Sequence, residues 1–149
     1  ITLIERPLWS TPEVPMYVVD QGPGSKISFD RLEDSVVVKT QTIDAVVRDL
    51  EISKIDFIKM DIEGAEMDAL AGASQLMESC RPAIFMEWYE DNFKCFGVQV
   101  TDLLTFARKY NYQLVATPQL FEIHTELHLR MFMATSGNIA LIPLPLTAP

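Results

Sequence analysis

Asp61-Ile62-Glu63-Gly64-Ala65-Glu66 places three carboxylates and a glycine within six positions. Carboxylates this close can act as a general base, clamp a hydroxylated substrate, or hold a hard cation such as Mg²⁺ or Ca²⁺. The residues just before them, Phe57-Ile58-Lys59-Met60, read as a buried strand, and the glycine reads as the turn into a helix. Carboxylates at the C-terminal end of a parallel strand lie where open α/β sheets receive ligands. If the strand runs through Glu63, Asp61 and Glu63 share one face, because strand side chains alternate with period two. The plainer alternative is that Glu63 and Glu66 only complement the positive end of the next helix, worth about 0.3–1 kcal/mol each. As candidates for chemistry, Glu63 ranks first, Asp61 second and Glu66 last.

Lys59 sits inside the apolar run, where an unpaired ammonium is costly. It either pairs with a nearby carboxylate or sends its head to solvent along a buried stem, and the second reading is slightly favoured. Glu87 ends the next apolar run, Ala83–Trp88, and would stand beside the Asp61 turn if the two strands pair. Trp88 and Tyr89 offer an aromatic wall, although aromatics at strand ends more often pack. His124 and His128 have i, i+4 spacing, but no further histidine or cysteine joins them; ordinary histidines are the stronger reading over a metal pair. The chain holds no G-x-G-x-x-G, P-loop or G-x-S-x-G motif.

The elements that must position these residues follow from periodicity and turn chemistry. Strands are expected at 2–5, 14–19, 35–39, 55–60, 83–88 and 112–116, with a loop at 21–26. Thr42 is placed to cap a helix carrying Ile43, Val46, Val47 and Leu50 on one face. A helix after Gly64 is interrupted near Gly72 and closed by Pro82, and Thr101-Asp102 opens another with an apolar stripe. The apolar runs 131–135 and 139–142 flank Ser136-Gly137-Asn138, which reads as a hairpin or a short bend. Strand–helix alternation implies a largely parallel sheet covered on both faces, with an antiparallel C-terminal edge. A Pro-rich tail follows from residue 143.

The 149 residues suit a single domain with a real core. A hydrophobic share of 48% argues against disorder. A formal charge of −9 disfavours nucleic acid as partner, because phosphate binding uses a basic patch. No apolar run reaches the roughly 20 residues of a membrane span. Two cysteines, Cys80 and Cys95, lack metal-ligand spacing, and the simplest expectation is a reduced, cytoplasmic protein.

Together these residues resemble the FkbM-type methyltransferases. The likeness is carried by Thr42-Ile43-Asp44, by the whole run Ile55–Glu66 with its D-x-E-G-x-E, by Leu70 and Gly72-Ala73, by Arg81-Pro82-Ala83-Ile84 and Glu87, and by the Asn138–Pro143 ending. The resemblance implies a Rossmann-like methyltransferase sheet and S-adenosylmethionine as cofactor. It implies methyl transfer to a hydroxyl of a saccharide or natural-product-like small molecule. By the same likeness Asp61 would lie near the transferred methyl, Glu63 would bind or deprotonate the acceptor, and Glu87 would line the acceptor side. Pro7, Leu8 and Trp9 fall where such folds contact the adenine ring. The family's opening strand and glycine-rich turn do not precede Ile1, so residues 1–149 are expected to be a partial domain lacking its N-terminal strands, with the strand at 55–60 left as an open edge. A divalent-metal enzyme and a non-catalytic interaction module are the rival expectations.

Overall fold

A computed structural model describes residues 1–19, 26–31 and 33–146. Among them, eight strands and six α-helices form two sheets. The strands are β1 (Pro15–Val19), β2 (Lys26–Ser28), β3 (Val36–Lys39), β4 (Phe57–Met60), β5 (Ala83–Glu87), β6 (Tyr112–Ala116), β7 (Phe121–Ile123) and β8 (Asn138–Pro143). The helices are α1 (Ile43–Asp49), α2 (Glu66–Ala71), α3 (Ser74–Ser79), α4 (Glu90–Phe93), α5 (Asp102–Tyr110) and α6 (Glu126–Met133).

Local chemistry explains most boundaries. Thr42 has extended backbone and its side chain accepts from the Ala45 N–H, so α1 starts where a hydroxyl N-cap allows. The break between α2 and α3 is forced by packing at Gly72. A Cβ there would collide with the carbonyl oxygen of Trp9 and press on the Thr42 side chain. Asp44 then caps α3 from a distance, accepting from the Gln75 and Leu76 N–H groups at 3.0 Å each. At α5 the expected cap is modified: Thr101 makes no side-chain cap bond, and Asp102 instead accepts from the Gln99 N–H at 2.8 Å.

The larger sheet has the order β4-β5-β8-β6-β7. Only β4 and β5 pair in parallel, and every other pair is antiparallel. This corrects the expectation of a mostly parallel sheet. β4, β5 and β6 do run in one direction, as strand–helix alternation requires. However, β8 enters antiparallel between β5 and β6, and β7 adds antiparallel outside β6. Alternation therefore reported direction correctly and adjacency incorrectly. β3 also leaves the expected sheet: it pairs with β1 in a separate antiparallel sheet of order β2-β1-β3.

Three further expectations change. Residues 2–5 form no strand. The run 131–135 is the end of α6 and its following turn rather than a hairpin strand, so the bend at 136–138 joins a helix to β8. β4 is shorter than expected and ends the sheet, with no described strand on its outer side. Phe57 is accordingly 60% exposed, and Met60 is the only buried residue of β4. The expected loop at 21–26 lies outside the described residues except for Lys26, which opens β2. Residues 144–146 of the proline-rich tail form no element, and 147–149 lie outside the description.

Two apolar clusters hold the described residues together. The main one joins the central strands to the helices through fully buried Ile84, Met86, Ile139 and Leu141 against Leu70, Leu103, Leu129 and Phe132. Each such side chain contributes about 1.5–3 kcal/mol by leaving water. The smaller cluster holds Trp9, Met16 and Ala65. Ile62 packs against both. The acidic turn is thus bolted at the junction of the two cores by two of its own apolar residues, Ile62 and Ala65.

Candidate functional site

β4 ends at Met60, which pairs with Met86 of β5. Asp61 and Glu87 therefore occupy the next positions at the same end of the parallel pair. The strand does not run on to Glu63. Glu63 has φ +55° and Gly64 φ +103°, so the chain turns through two left-handed residues. The period-two argument for a shared face fails at this turn, and Glu63 is presented by the turn instead. A left-handed conformation is routine for glycine but costs a residue with a Cβ about 1–2 kcal/mol. The neighbouring glycine is doubly required. A Cβ on Gly64 would collide with the backbone of Asn92 and Phe93.

Each outer carboxylate has one side-chain partner. Asp61 Oδ2 accepts from Lys59 Nζ at 2.9 Å, with both side chains about half exposed (48% and 57%). Lys59 therefore does both things expected of it: its head reaches water and pairs with a site carboxylate there. Such an exposed pair adds about 0–1 kcal/mol to stability. Glu63 is exposed, and its Oε2 accepts from Asn92 Nδ2 at 3.0 Å. Neither contact uses all the acceptor capacity of a carboxylate.

Glu66 behaves oppositely. It is only 2% exposed and turns back under the turn, where Oε1 accepts from the Ile62 N–H at 3.2 Å. Burial pushes its carboxyl above the ordinary carboxylate range, while the backbone N–H groups of Glu66, Ile62 and Gly64 pull it back down. The residue ranked last from sequence is the one the fold encloses.

Glu87 is half-buried, opposite Asn138 in the β5–β8 ladder. The aromatic pair after it divides. Trp88 is fully buried and stacks on Phe93 at 4.2 Å between ring centroids, so it packs rather than lines a wall. Tyr89 lies over Gly137, where a Cβ would enter its ring, and its hydroxyl donates to the Ser136 carbonyl. Tyr89 thereby clasps the start of β8 to the end of β5. Asn92, three residues on, holds Glu63. Asn92 had no signal in the sequence. Gly137 had one, in the Ser136-Gly137-Asn138 turn.

Pro7, Leu8 and Trp9 run alongside Gln41, just before α1. The Pro7 carbonyl accepts from the Gln41 N–H at 2.9 Å, and Leu8 bridges to Gln41. Leu8 also lines an apolar groove of about 240 Å³, together with Val46 and Val47 of α1 and Phe57, Ile58 and Ile62 around β4. Trp9 turns away from this groove into the small cluster, edge-on to Phe29 at 5.2 Å and near Phe96 at 5.6 Å. His124 pairs with Glu122 at 3.0 Å, and its ring centroid lies 6.3 Å from that of His128. Among the described residues, no three His, Cys, Asp or Glu side chains gather as metal ligands. The two cysteines are free. No described helix is long and apolar enough to cross a membrane.

The arrangement is an outward-facing pair of carboxylates on a sharply turned loop at the C-terminal end of two parallel strands, beside an apolar groove. It can accept a proton or orient a hydroxyl group. Comparison with known proteins identifies no matching curated protein and no matching solved structure. The model of the Methyltransferase FkbM domain family matches residues 14–114, which include the groove's α1 wall, the acidic turn, Glu87 and Asn92. That match spans more than half of the chain, and the protein belongs to the FkbM methyltransferase domain family.

Proposed function

We propose that this protein takes part in S-adenosylmethionine-dependent O-methyl transfer to a hydroxyl of a saccharide or natural-product-like acceptor, with Asp61 and Glu63 at the reacting centre. The observation that carries this reading is the turn itself. In a chain of a methyltransferase family, Asp61 and Glu63 both face water from a turn fixed by Gly64, Ala65 and Glu66. Binding and catalytic residues concentrate on loops held by a rigid scaffold. A non-glycine residue kept at positive φ marks a place where geometry is maintained at a cost.

The residues present fit part of the cofactor. The groove beside Leu8 offers apolar walls for a flat ring, and Asp61 follows directly on its Met60 wall as a partner for positive charge. When bound, the cofactor would supply a methyl carbon on positively charged sulfur.

The chain's own share is proton handling and orientation. Glu63 would orient the acceptor hydroxyl and accept its proton as that oxygen takes up the methyl group. Asp61 would hold the positive end of the donor, and Lys59 would keep Asp61 in place. Glu87 would border the acceptor. Orientation of two reactants supplies much of the rate in such a transfer, and a positioned base adds about 10²–10⁴-fold.

The test is incubation of the protein with methyl-labelled S-adenosylmethionine and a panel of hydroxylated acceptors, followed by product mass spectrometry. A methyl ether that is formed by the wild type and lost in Glu63→Gln supports the reading. Label appearing equally with Glu63→Gln, or no label transfer to any acceptor by protein that binds the cofactor, overturns it.

A further inference from the structure

The buried acid of the turn has no place among the groups that reach solvent, yet the fold devotes a carboxylate to it. Glu66 is 2% exposed, and its Oε1 accepts from the Ile62 N–H at 3.2 Å. That N–H belongs to the peptide unit between Asp61 and Ile62, so the bond ties the start of the turn to the helix that ends it. The outer face is fixed separately, by Asn92 Nδ2 on Glu63 and by the backbone of Asn92 and Phe93 against Gly64.

We infer that Glu66 is a positioning residue for the site, holding the Asp61–Glu63 turn in its left-handed form through the Ile62 amide. This rests on the methyl-transfer reading of Asp61 and Glu63, and it deepens it by naming the residue through which their geometry is set. A helix-end role alone does not account for the placement. Complementing a helix N-terminus is possible from an exposed side chain, whereas Glu66 is enclosed and bonded to the Ile62 amide, which precedes its own helix. An enclosed carboxylate is retained at a desolvation cost, which backbone donors offset here.

The test has two arms that fail separately. The first needs no turnover: amide hydrogen exchange of the folded protein. Removal of the carboxylate in Glu66→Ala is expected to speed exchange at Ile62 at least tenfold relative to wild type, with the β5 amides unchanged. If Glu66→Ala does not fold, Glu66→Asp replaces it, because its carboxylate is one methylene too short to reach the amide. Unchanged exchange at Ile62 overturns the inference whatever the protein catalyses.

The second arm is kinetic. Glu66→Ala, or Glu66→Asp in its place, is expected to lower kcat about tenfold or more with acceptor KM changed less than threefold, since misplacement of a reacting group by about 1 Å can cost 10²-fold. Glu66→Gln keeps an acceptor oxygen at the same reach and is expected to restore kcat to within about threefold of wild type. Combining the same Glu66 substitution with Glu63→Gln is expected to add no loss beyond Glu63→Gln alone, because Glu66 acts through Glu63. Independent, multiplying losses overturn the inference. A wild-type protein without methyl transfer overturns the functional proposal and leaves the exchange arm to decide the role of Glu66.

Discussion

The acidic turn carries two kinds of carboxylate separated by a few residues. Asp61 and Glu63 face water, and each has one flexible side-chain partner, Lys59 or Asn92. Glu66 on the same turn, like Asp44 on α1, is spent on backbone N–H groups. The outer pair contributes little to folding and keeps its acceptor capacity for a ligand. The inner pair uses that capacity to shape the frame. Composition does not separate the two groups; the direction in which each side chain leaves the backbone does. Substitutions of the inner set should therefore lower stability, with Glu66 also lowering turnover through Glu63, whereas those of the outer set should lower activity alone.

The sharpest way to break this division is at the hinge between the two groups. Gly64→Ala places a Cβ against the Asn92 and Phe93 backbone at φ +103°, where neither the turn nor α4 has room to yield. It is expected to cost about 3 kcal/mol or more, read as a fall in the urea midpoint. Next comes Glu66→Ala, which leaves buried amides without their acceptor and is expected to cost about 2 kcal/mol by the same measurement. Asp44→Ala removes the cap of α3 and is expected to cost about 1 kcal/mol.

Glu66 also gives a signature in pH. Burial raises its carboxyl in the folded state above the ordinary value of 4.5. The folded protein then binds the proton more tightly than the unfolded chain. Its contribution to stability is full below about pH 4.5 and is lost as pH rises through the folded value. The stability difference between wild type and Glu66→Gln should therefore shift against wild type as pH rises through that window, and a difference curve with the opposite slope contradicts this. Asp68, also raised by burial, is present in both proteins and cancels. The smallest stability effects belong to the outer pair. Asp61→Asn and Glu63→Gln are expected to change stability by less than about 0.5 kcal/mol, because both side chains are exposed and singly bonded.

Local features were readable from sequence where one residue type answers one local demand. Thr42 caps α1, Gly72 breaks the following helix, and the valines of β3 form a strand, each as its chemistry dictates. Sheet adjacency was not readable, because β8 takes its place between β5 and β6 by long-range packing of Ile139 and Leu141, which no local period encodes. α6 was missed because its apolar end, Met131–Met133, imitates a strand when the preceding Thr125 cap is overlooked. The acidic run announced the site, but the roles within it depended on two consecutive positive φ angles. Those turned Glu63 outward, while Glu66 faces inward. Asn92 reaches Glu63 from 29 positions away and leaves no trace in the sequence.

The most direct measurement is turnover and thermal midpoint, side by side, for wild type, Asp61→Asn and Glu63→Gln with S-adenosylmethionine and an accepted hydroxylated substrate. Methyl transfer should fall about 10²-fold or more in Glu63→Gln, and strongly in Asp61→Asn, while both midpoints stay at the wild-type value. Turnover preserved in both variants, or lost only in step with a falling midpoint, would contradict the assignment of the acidic turn as the reacting centre.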